Sequence, residues 1–466
     1  MQPFVHLHTH SHYSLLQALP KIDDLVETAK ENGMDALALT DNGNLYGAIE
    51  FYKACKEEGI KPIIGVDFYV AARSRHDKQP SVDRERYRLV LLAKDFEGYQ
   101  NLMALVTKSY LEGFFDRPRI DRELMEKYSK GLIGFIPCLK SDTSSALKNN
   151  DAKKAEEKLN IYKKIYGKDN IYLEITAHPE LDWQESLLEK IIGLGKKCEV
   201  PVAASQEVYY LNPSDKQTTE IMRRIQHGVA GVNEEDDGDF SFFGEERVQE
   251  LFKKFPEAIK NTRRIADACN LELDLGKWKF PGFEIKSGKT YDQELRDTVY
   301  QGAKERSMEI TPEVKERIEY ELRVIADKNF SSYFLVVADL LRFTREKDIY
   351  TTTRGSVGGS IVAYLTFITT VDPIAYKLPF ERFLNPERPK APDIDMDLAD
   401  NRRDEVIEYA KGKYGEERVA QIGTFGTMLA RAAVRDIARA MGKPYAVGDR
   451  IAKLIPMGSQ GFPMTI

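Results

Sequence analysis

The sequence predicts an α/β protein of two parts: a distorted βα barrel of about seven strands, then a smaller α+β region that runs into helices. Three observations predict it. Over residues 1 to about 230, short apolar runs alternate with helical patterns. From about 230 to 290 the pattern loosens into an acidic stretch and one broken by proline and glycine. Beyond that, long helical patterns enclose one glycine-serine turn and one aspartate-rich strand.

The barrel elements follow in order. FVHLHTH opens the chain and leads to KIDDLVETAKEN, whose Ile22, Leu25, Val26 and Ala29 recur at helical spacing. DALALT (35–40) precedes a helix over about 46–58. KPIIGVDFYV (61–70) and RLVLLA (88–93) precede a helix over about 95–109. GLIGFIP (131–137), NIYLEI (170–175) and VPVAAS (200–205) each lead into another helical stretch. Strands alternating with helices imply βα units and a largely parallel sheet. GVNEEDDGDF (231–240) reads as a loop, and WKFPGFEIKSGKTYD (278–292) as a connector broken by Pro281, Gly282 and Gly288. Thr311-Pro312-Glu313 caps a long helix with proline in its first turn. These punctuation points set expected domains of 1–275, 276–430 and 431–466.

The bulk properties exclude several classes. A chain of 466 residues is too long for one core. No apolar run approaches the 18 or so residues of a membrane span, and MQPFVHLHTH lacks the form of a secretion signal. The four cysteines, Cys55, Cys138, Cys198 and Cys269, share no C-x-x-C spacing, which predicts a reduced, cytoplasmic setting. A net charge of -6 leaves nucleic-acid binding to local basic patches. ERFLNPERPK (381–390) is one, and Arg431 to Lys453, with Arg435, Arg439, Lys443 and Arg450, is another.

Two segments carry chemistry. His6, His8, His10 and His12 are four of the seven histidines. At spacing two on a strand they would share a face and offer several imidazoles to one volume, as a transition metal requires. The second begins at TTTRGSVGGSIVAYL (351–365), a Gly-Ser turn before an apolar helix. Its backbone N–H groups, the helix N-terminus, Arg354, Ser356 and Ser360 could receive phosphate. PDIDMDLAD (392–400) follows, with Asp393, Asp395 and Asp397 alternating with Ile394, Met396 and Leu398. Carboxylates this close repel unless cations neutralise them, and Mg²⁺ prefers such oxygens. An acidic surface strand is the plain alternative. A calcium loop is excluded because D-x-D-x-D-G and its distal glutamate are absent.

HLHTHSHYSLL, ALALTDNGNLYGAIEFYKACKEEGIKPIIGVDFYVAA, LLAKDFEGYQNL and SYLEGFFDRPRIDREL resemble the polymerase and histidinol phosphatase (PHP) domain of bacterial DNA polymerase III alpha subunits. The resemblance implies a βα barrel with three metals at its strand ends. His8 and His10 match the first ligand pair and Cys138 a later position. Gln17, Asn42, Arg88 and Tyr209 stand where that pattern has aspartate and histidines, and Asp67 and Glu207 where it has glutamate and aspartate. The expectation is a degenerate, structural barrel in which zinc and manganese are not expected. A residual single-ion set would draw on His8, His10, Asp67, Cys138 and Glu207.

The order Gly-Ser turn then Asp-x-Asp strand resembles the nucleotidyltransferase superfamily of DNA polymerase beta. SSYFLVVADLLRF (331–343) and the residues from LPFERFLNPERPK to ARAAVRDIAR look like the palm and early thumb of the polymerase III alpha family. This implies template-directed DNA synthesis from deoxynucleoside triphosphates with two Mg²⁺ ions. Asp395 and Asp397 would be the metal ligands, with Asp393 a third carboxylate. Arg354, Gly355, Ser356, Gly359 and Ser360 would meet the triphosphate. Arg382, Arg388 and Arg431 would neutralise phosphate, although Arg431 stands where the family usually has lysine. TTTRGS replaces the family's Gly-Pro-Gly before Arg-Gly-Ser. The family's remaining palm carboxylate is expected beyond Ile466, so the chain alone is not expected to extend a primer. Implied partners are primer-template DNA, a sliding clamp, a clamp loader and a proofreading exonuclease; no membrane is implied. The rival readings are a metal-dependent phosphoesterase or 3'-5' exonuclease in the barrel, and a non-catalytic scaffold for a proofreading subunit.

Overall fold

A computed structural model describes residues 3–227, 238–277, 280, 282–285, 288–388, 391–456, 458 and 464. The chain forms two compact units, Met1–Asp274 with Thr427–Ile466, and Leu275–Gly426.

The first unit is built on β1 (Ala36–Leu39), β2 (Lys61–Ala71), β3 (Arg86–Ala93), β4 (Arg119–Ile120), β5 (Leu132–Ile136), β6 (Ile171–Ile175) and β7 (Val202–Ala204). They form one curled sheet in the order β1-β2-β3-β5-β6-β7, with β4 on β2. The pairs β1–β2, β2–β4, β5–β6 and β6–β7 are parallel, whereas β3 runs antiparallel to β2 and β5. The sheet is largely parallel, as the sequence predicts, with β3 the exception. Between β2 and β3 lies only the four-residue helix Pro80–Asp83, and a parallel return needs a longer crossover.

Side chains alternate as the apolar runs require. Ala36, Ala38, Ile63, Val90, Leu92, Ile133 and Phe135 fill the inside of the curl. Leu37, Leu39, Ile64, Leu89 and Leu91 point out and pack under helices. Helix Ile22–Glu31 buries Ile22, Leu25, Val26 and Ala29, the four residues its spacing selects.

The histidine-rich segment is not a continuous strand. It makes isolated bridges, His6 to Leu37 and Thr9 to Val208. The Ala38 N–H donates to the His6 carbonyl at 2.9 Å and the Thr40 N–H to that of Thr9 at 2.8 Å. On the other side, the His10 N–H donates to the Val208 carbonyl and the Val208 N–H to that of His8, both at 3.0 Å. The segment therefore occupies the space between β1 and the residues after β7, and both edges of the sheet bond to it.

In the second unit, helices Tyr291–Glu305 and Pro312–Asp327 pack on the short helix Ile361–Leu365, and Ser331–Glu346 packs on Tyr291–Glu305. Leu295, Val299, Ile318, Phe334, Ile361, Leu365 and Phe380 share its core. Thr311 caps its helix by accepting from the Val314 N–H, with Pro312 at the first turn. Strands β8 (Thr351–Arg354) and β9 (Asp395–Leu398) form a separate antiparallel pair.

Helices Ala430–Ala440 and Tyr445–Leu454 pack on each other, and the first also packs on helix Lys216–His227 of the barrel unit. Of the expected loop 231–240, residues 231–237 lie outside the described residues, as does Pro281 of the expected connector. Among the described residues, no helix is long and apolar enough to cross a membrane.

Candidate functional site

The first candidate lies inside the curled sheet. The histidine-rich segment delivers His8 and His10, β2 delivers Asp67, and the segment after β7 delivers Glu207. One ligand atom from each lies within 4.8 Å of the others, and all four residues are buried. The His8 ring is held between two carboxylates, Nδ1 to Glu174 at 2.8 Å and Nε2 to Asp67 at 3.0 Å. Burial opposes charge on His8, but Glu174 and Asp67 outweigh it and hold its pKa well above the usual value. Burial likewise opposes charge on Asp67, and Arg88, His10 and His8 outweigh it and hold that carboxyl well below its usual range.

His10 Nδ1–H donates to the Val208 carbonyl, 3.0 Å away, and its ring stacks on Tyr209. Its Nε2 is buried without a hydrogen-bond partner, 3.5 Å from Asp67 Oδ2. An orphaned imidazole nitrogen facing a carboxylate, with a second histidine and a second carboxylate beside it, is a donor set that suits one zinc or manganese ion. This corrects the expectation that zinc and manganese would find no place in the barrel. The replaced ligands do not dismantle the cluster, because Asp67 and Glu207 still supply carboxylates. Two of the replaced positions bond each other instead: the Asn42 amide donates to Gln17 Oε1 at 3.0 Å. Tyr209 donates to Glu207 at 2.8 Å. Arg88 competes most directly, donating to Asp67 through Nε at 2.9 Å and through Nη2 to both Asp67 and Asn42.

Two further sequence expectations change here. The four histidines do not converge: His6 bonds the Phe243 carbonyl through Nε2 at 2.9 Å, and His12 lies against the Tyr13 ring. The segment bridges its neighbours only at isolated positions and turns at Ser11, so the two-residue alternation does not carry all four into one volume. Cys138 is not in the four-residue cluster. Its thiol bonds Thr176, and burial pushes its pKa up to about 11. Glu174, which holds His8, was missed. Its only signal was a lone glutamate in the apolar run NIYLEI.

The second candidate is the antiparallel β8–β9 pair, a hairpin-like ladder whose strands are joined through residues 355–394. Arg354 pairs with Asp395 in register and Thr352 with Asp397. Thr353 Oγ1 ties β8 to the Ile368 carbonyl at 2.6 Å. Asp395 and Asp397 project from one strand face, exposed and half-exposed, while Asp393 precedes the paired strand. The Arg354 side chain reaches past its register partner and donates through Nη2 to Asp397 Oδ1 at 2.9 Å. Gly355 then turns the chain at φ 89°, a left-handed conformation that favours glycine, into the turn Ser356–Gly359.

Behind this turn the geometry departs from the phosphate reading. Ser360 is fully buried, and its hydroxyl donates to Glu321 at 2.7 Å and accepts from the Ala363 N–H. The Ile361 and Val362 N–H groups donate to the two Glu321 oxygens, both at 3.1 Å. The helix N-terminus is thus already occupied by a carboxylate. Arg317 pairs with Glu321 at 2.6 Å and donates to the Gly359 carbonyl at 2.8 Å. Gly359 is required for close approach, since a Cβ there would lie 2.6 Å from the Pro379 carbonyl oxygen. Ser360 and Gly359 are therefore structural in this geometry, and the exposed groups are Arg354, Gly355 and Ser356. Arg382 and Arg388 are exposed in the same unit. Arg431 belongs to the barrel unit and donates to the Ile455 carbonyl at 2.9 Å, joining two helices. Glu321 was invisible in sequence, one acid among several in ERIEYELRV.

Residues 6–178 match the family profile described as PHP domain, and residues 293–465 that described as bacterial DNA polymerase III alpha NTPase domain. Fold and sequence thus define a PHP-type barrel chain with a polymerase-type second unit. The chain belongs to the family of bacterial DNA polymerase III alpha subunits. It is 41% identical over 480 residues to DNA polymerase III subunit alpha of Aquifex aeolicus, covering 98% of this chain and 41% of that protein. It is 41% identical over 467 residues to the same subunit of Borreliella burgdorferi, covering 98% of this chain and 40% of that one. The chain therefore spans about two-fifths of the length of these relatives. Among solved structures, an amidohydrolase from Chromobacterium violaceum matches at 13% identity and a TM-score of 0.31, covering 44% of this chain and 87% of that one.

Proposed function

We propose that this chain carries the front half of the nucleotidyl-transfer site of a template-directed DNA polymerase. The observation that carries the reading is the β8–β9 hairpin, which sets Asp395 and Asp397 beside the exposed Arg354-Gly355-Ser356 turn. Asp395 and Asp397 hold divalent ions, Mg²⁺ in the cell, with Asp393 the least committed of the three acids. Such ions would lower the pKa of a primer hydroxyl and neutralise a leaving pyrophosphate. Arg354, Gly355 and Ser356 receive the triphosphate, and Arg382 and Arg388 add positive charge. The barrel unit, residues 1–275 on this reading, is the platform. Primer-template DNA, a sliding clamp, a clamp loader and a proofreading exonuclease are the partners this function entails.

Among the described residues, no imidazole, thiol or further carboxylate completes a ligand group with Asp395 and Asp397. The test is primer extension with Mg²⁺ and all four deoxynucleoside triphosphates. The complete polypeptide extends a primed template, and this chain alone does not. Extension by the chain alone would show that its ligand set is already complete. No extension by the complete polypeptide would remove the function.

A second reading is supported by the barrel cluster: one transition-metal ion on His8, His10, Asp67 and Glu207. Such an ion would supply a Lewis acid, the prerequisite for phosphoesterase or 3'-5' exonuclease chemistry in the barrel. After dialysis against a weak chelator, elemental mass spectrometry should find about one zinc or manganese per chain, lost in the His8→Ala/His10→Ala variant. A metal-free wild-type chain would sink this reading and leave the barrel a scaffold.

A further inference from the structure

Arg354 and Asp397 are both surface groups, their side chains 69% and 44% exposed, yet they are paired. In an antiparallel ladder the nearest partner of Arg354 is Asp395, directly opposite. The guanidinium instead reaches the diagonal residue, bonding Asp397 through both Nε and Nη2. A forked cation engaged with both oxygens of a carboxylate neutralises its charge and takes one lone pair on each oxygen, so it competes with a metal there. Among the described residues the Asp395 side chain makes no hydrogen bond to Arg354, although its charge contributes to holding the guanidinium protonated, after that of Asp397. The turn at Gly355 follows Arg354 directly, so the cation paired with Asp397 also adjoins the exposed turn.

We propose that Arg354 is the resting counter-ion of Asp397, and that the polyphosphate of a nucleoside triphosphate draws the guanidinium away, so that nucleotide and divalent ion load together. The proposal rests on the reading of the hairpin as a nucleotide and metal site. The guanidinium and a divalent ion compete for the charge and the oxygens of Asp397, and Arg354 cannot hold Asp397 and a triphosphate in the same geometry at once. Each ligand thus removes the obstacle to the other, a coupling that linkage makes reciprocal. The pair is exposed and therefore weak, which is what a latch opened by substrate requires. The device would keep metal from settling on the hairpin before a nucleotide is present.

Two titrations of the chain test this. Mn²⁺ binding without nucleotide, followed by electron paramagnetic resonance, is compared in wild type, Arg354→Gln and Arg354→Lys. The signal removed by Asp397→Asn is the hairpin's share, which separates it from the barrel. Arg354→Gln is expected to bind Mn²⁺ at the hairpin about fivefold more tightly than wild type, with Arg354→Lys between them. Metal-free dATP binding in chelator, followed by calorimetry, is compared in Asp397→Asn and Asp395→Asn. Both lose one negative charge, but only the first frees Arg354. Asp397→Asn is expected to tighten binding about fivefold and Asp395→Asn less than about twofold. Equal Mn²⁺ affinity in wild type and Arg354→Gln, or equal effects of the two aspartate variants, overturns the latch while leaving the site. Absence of any Asp397-dependent Mn²⁺ signal in Arg354→Gln overturns the metal site itself.

Discussion

Asp397→Asn in the complete polypeptide is expected to lower template-directed synthesis by about three orders of magnitude or more. The substitution keeps size and shape and removes one charge. Asparagine offers one neutral carbonyl oxygen where a Mg²⁺ ion would find a carboxylate, and Mg²⁺ is held by few, strongly charged oxygens. A metal that stabilises the charge developing in the transition state contributes several kcal/mol, and each 1.4 kcal/mol or so is a factor of ten in rate. The loss cannot be ascribed to unfolding. Asp397 is half-exposed, its main chain pairs with Thr352 whatever its side chain, and its side-chain partner among the described residues, Arg354, is itself at the surface. Circular dichroism should be unchanged while primer extension disappears. Synthesis within tenfold of wild type would take Asp397 out of the site.

The second large effect is structural. Gly302→Ala is expected to destabilise the second unit by about 3–5 kcal/mol, enough to unfold a marginal domain. A Cβ on Gly302 would stand 1.7 Å from the Leu365 carbonyl oxygen and 2.9 Å from its carbon. Both are backbone atoms, so no rotamer relieves the clash, and helices Tyr291–Glu305 and Ile361–Leu365 must part. The second of these helices begins immediately after Ser360, so its displacement would carry the turn Ser356–Gly359 with it. Limited proteolysis should cut within residues 290–400 of the variant and spare the barrel. Gly193→Ala is the control: it lies within helix Gln184–Cys198 with nothing within 4 Å of its added Cβ. It should be neutral or slightly stabilising, by up to about 1 kcal/mol. A Gly302→Ala chain as stable as wild type would show that the two helices are not held at this separation.

What the sequence made legible follows from periodicity. The alternation of Ala36, Ala38 and Ile63 against Leu37, Leu39 and Ile64 separates the inner from the outer face of the sheet. The same local rule put Asp395 and Asp397 on one face of a strand and made His8 and His10 neighbours. Groups whose role depends on distant partners were not legible. Glu174 meets His8 across 166 residues of chain, and Glu321 meets Ile361 and Val362 across 40 and 41. The apolar neighbours of Glu174 hint at burial but not at its partner, and nothing near Glu321 marks it as buried. The pairing of Arg354 with Asp397 required the register of β8 against β9, which no local pattern supplies. Counting matched ligand positions also misjudged the barrel, because retained carboxylates at Asp67 and Glu207 matter more to a metal than the number of positions lost.

The placement of residues 6–10 has a consequence for synthesis on the ribosome. Residues 6–10 are made well before Val208, yet they must bond both to β1 and to Val208. The sheet cannot be sealed until some two hundred residues have followed, and loop closure over that length is slow compared with the formation of any one βα unit. During that interval both margins of the growing sheet present unpaired N–H and C=O groups to other nascent chains. The histidine-rich segment thus waits for a partner made some two hundred residues later, and the period before it is fastened is when the barrel is most open to misassembly.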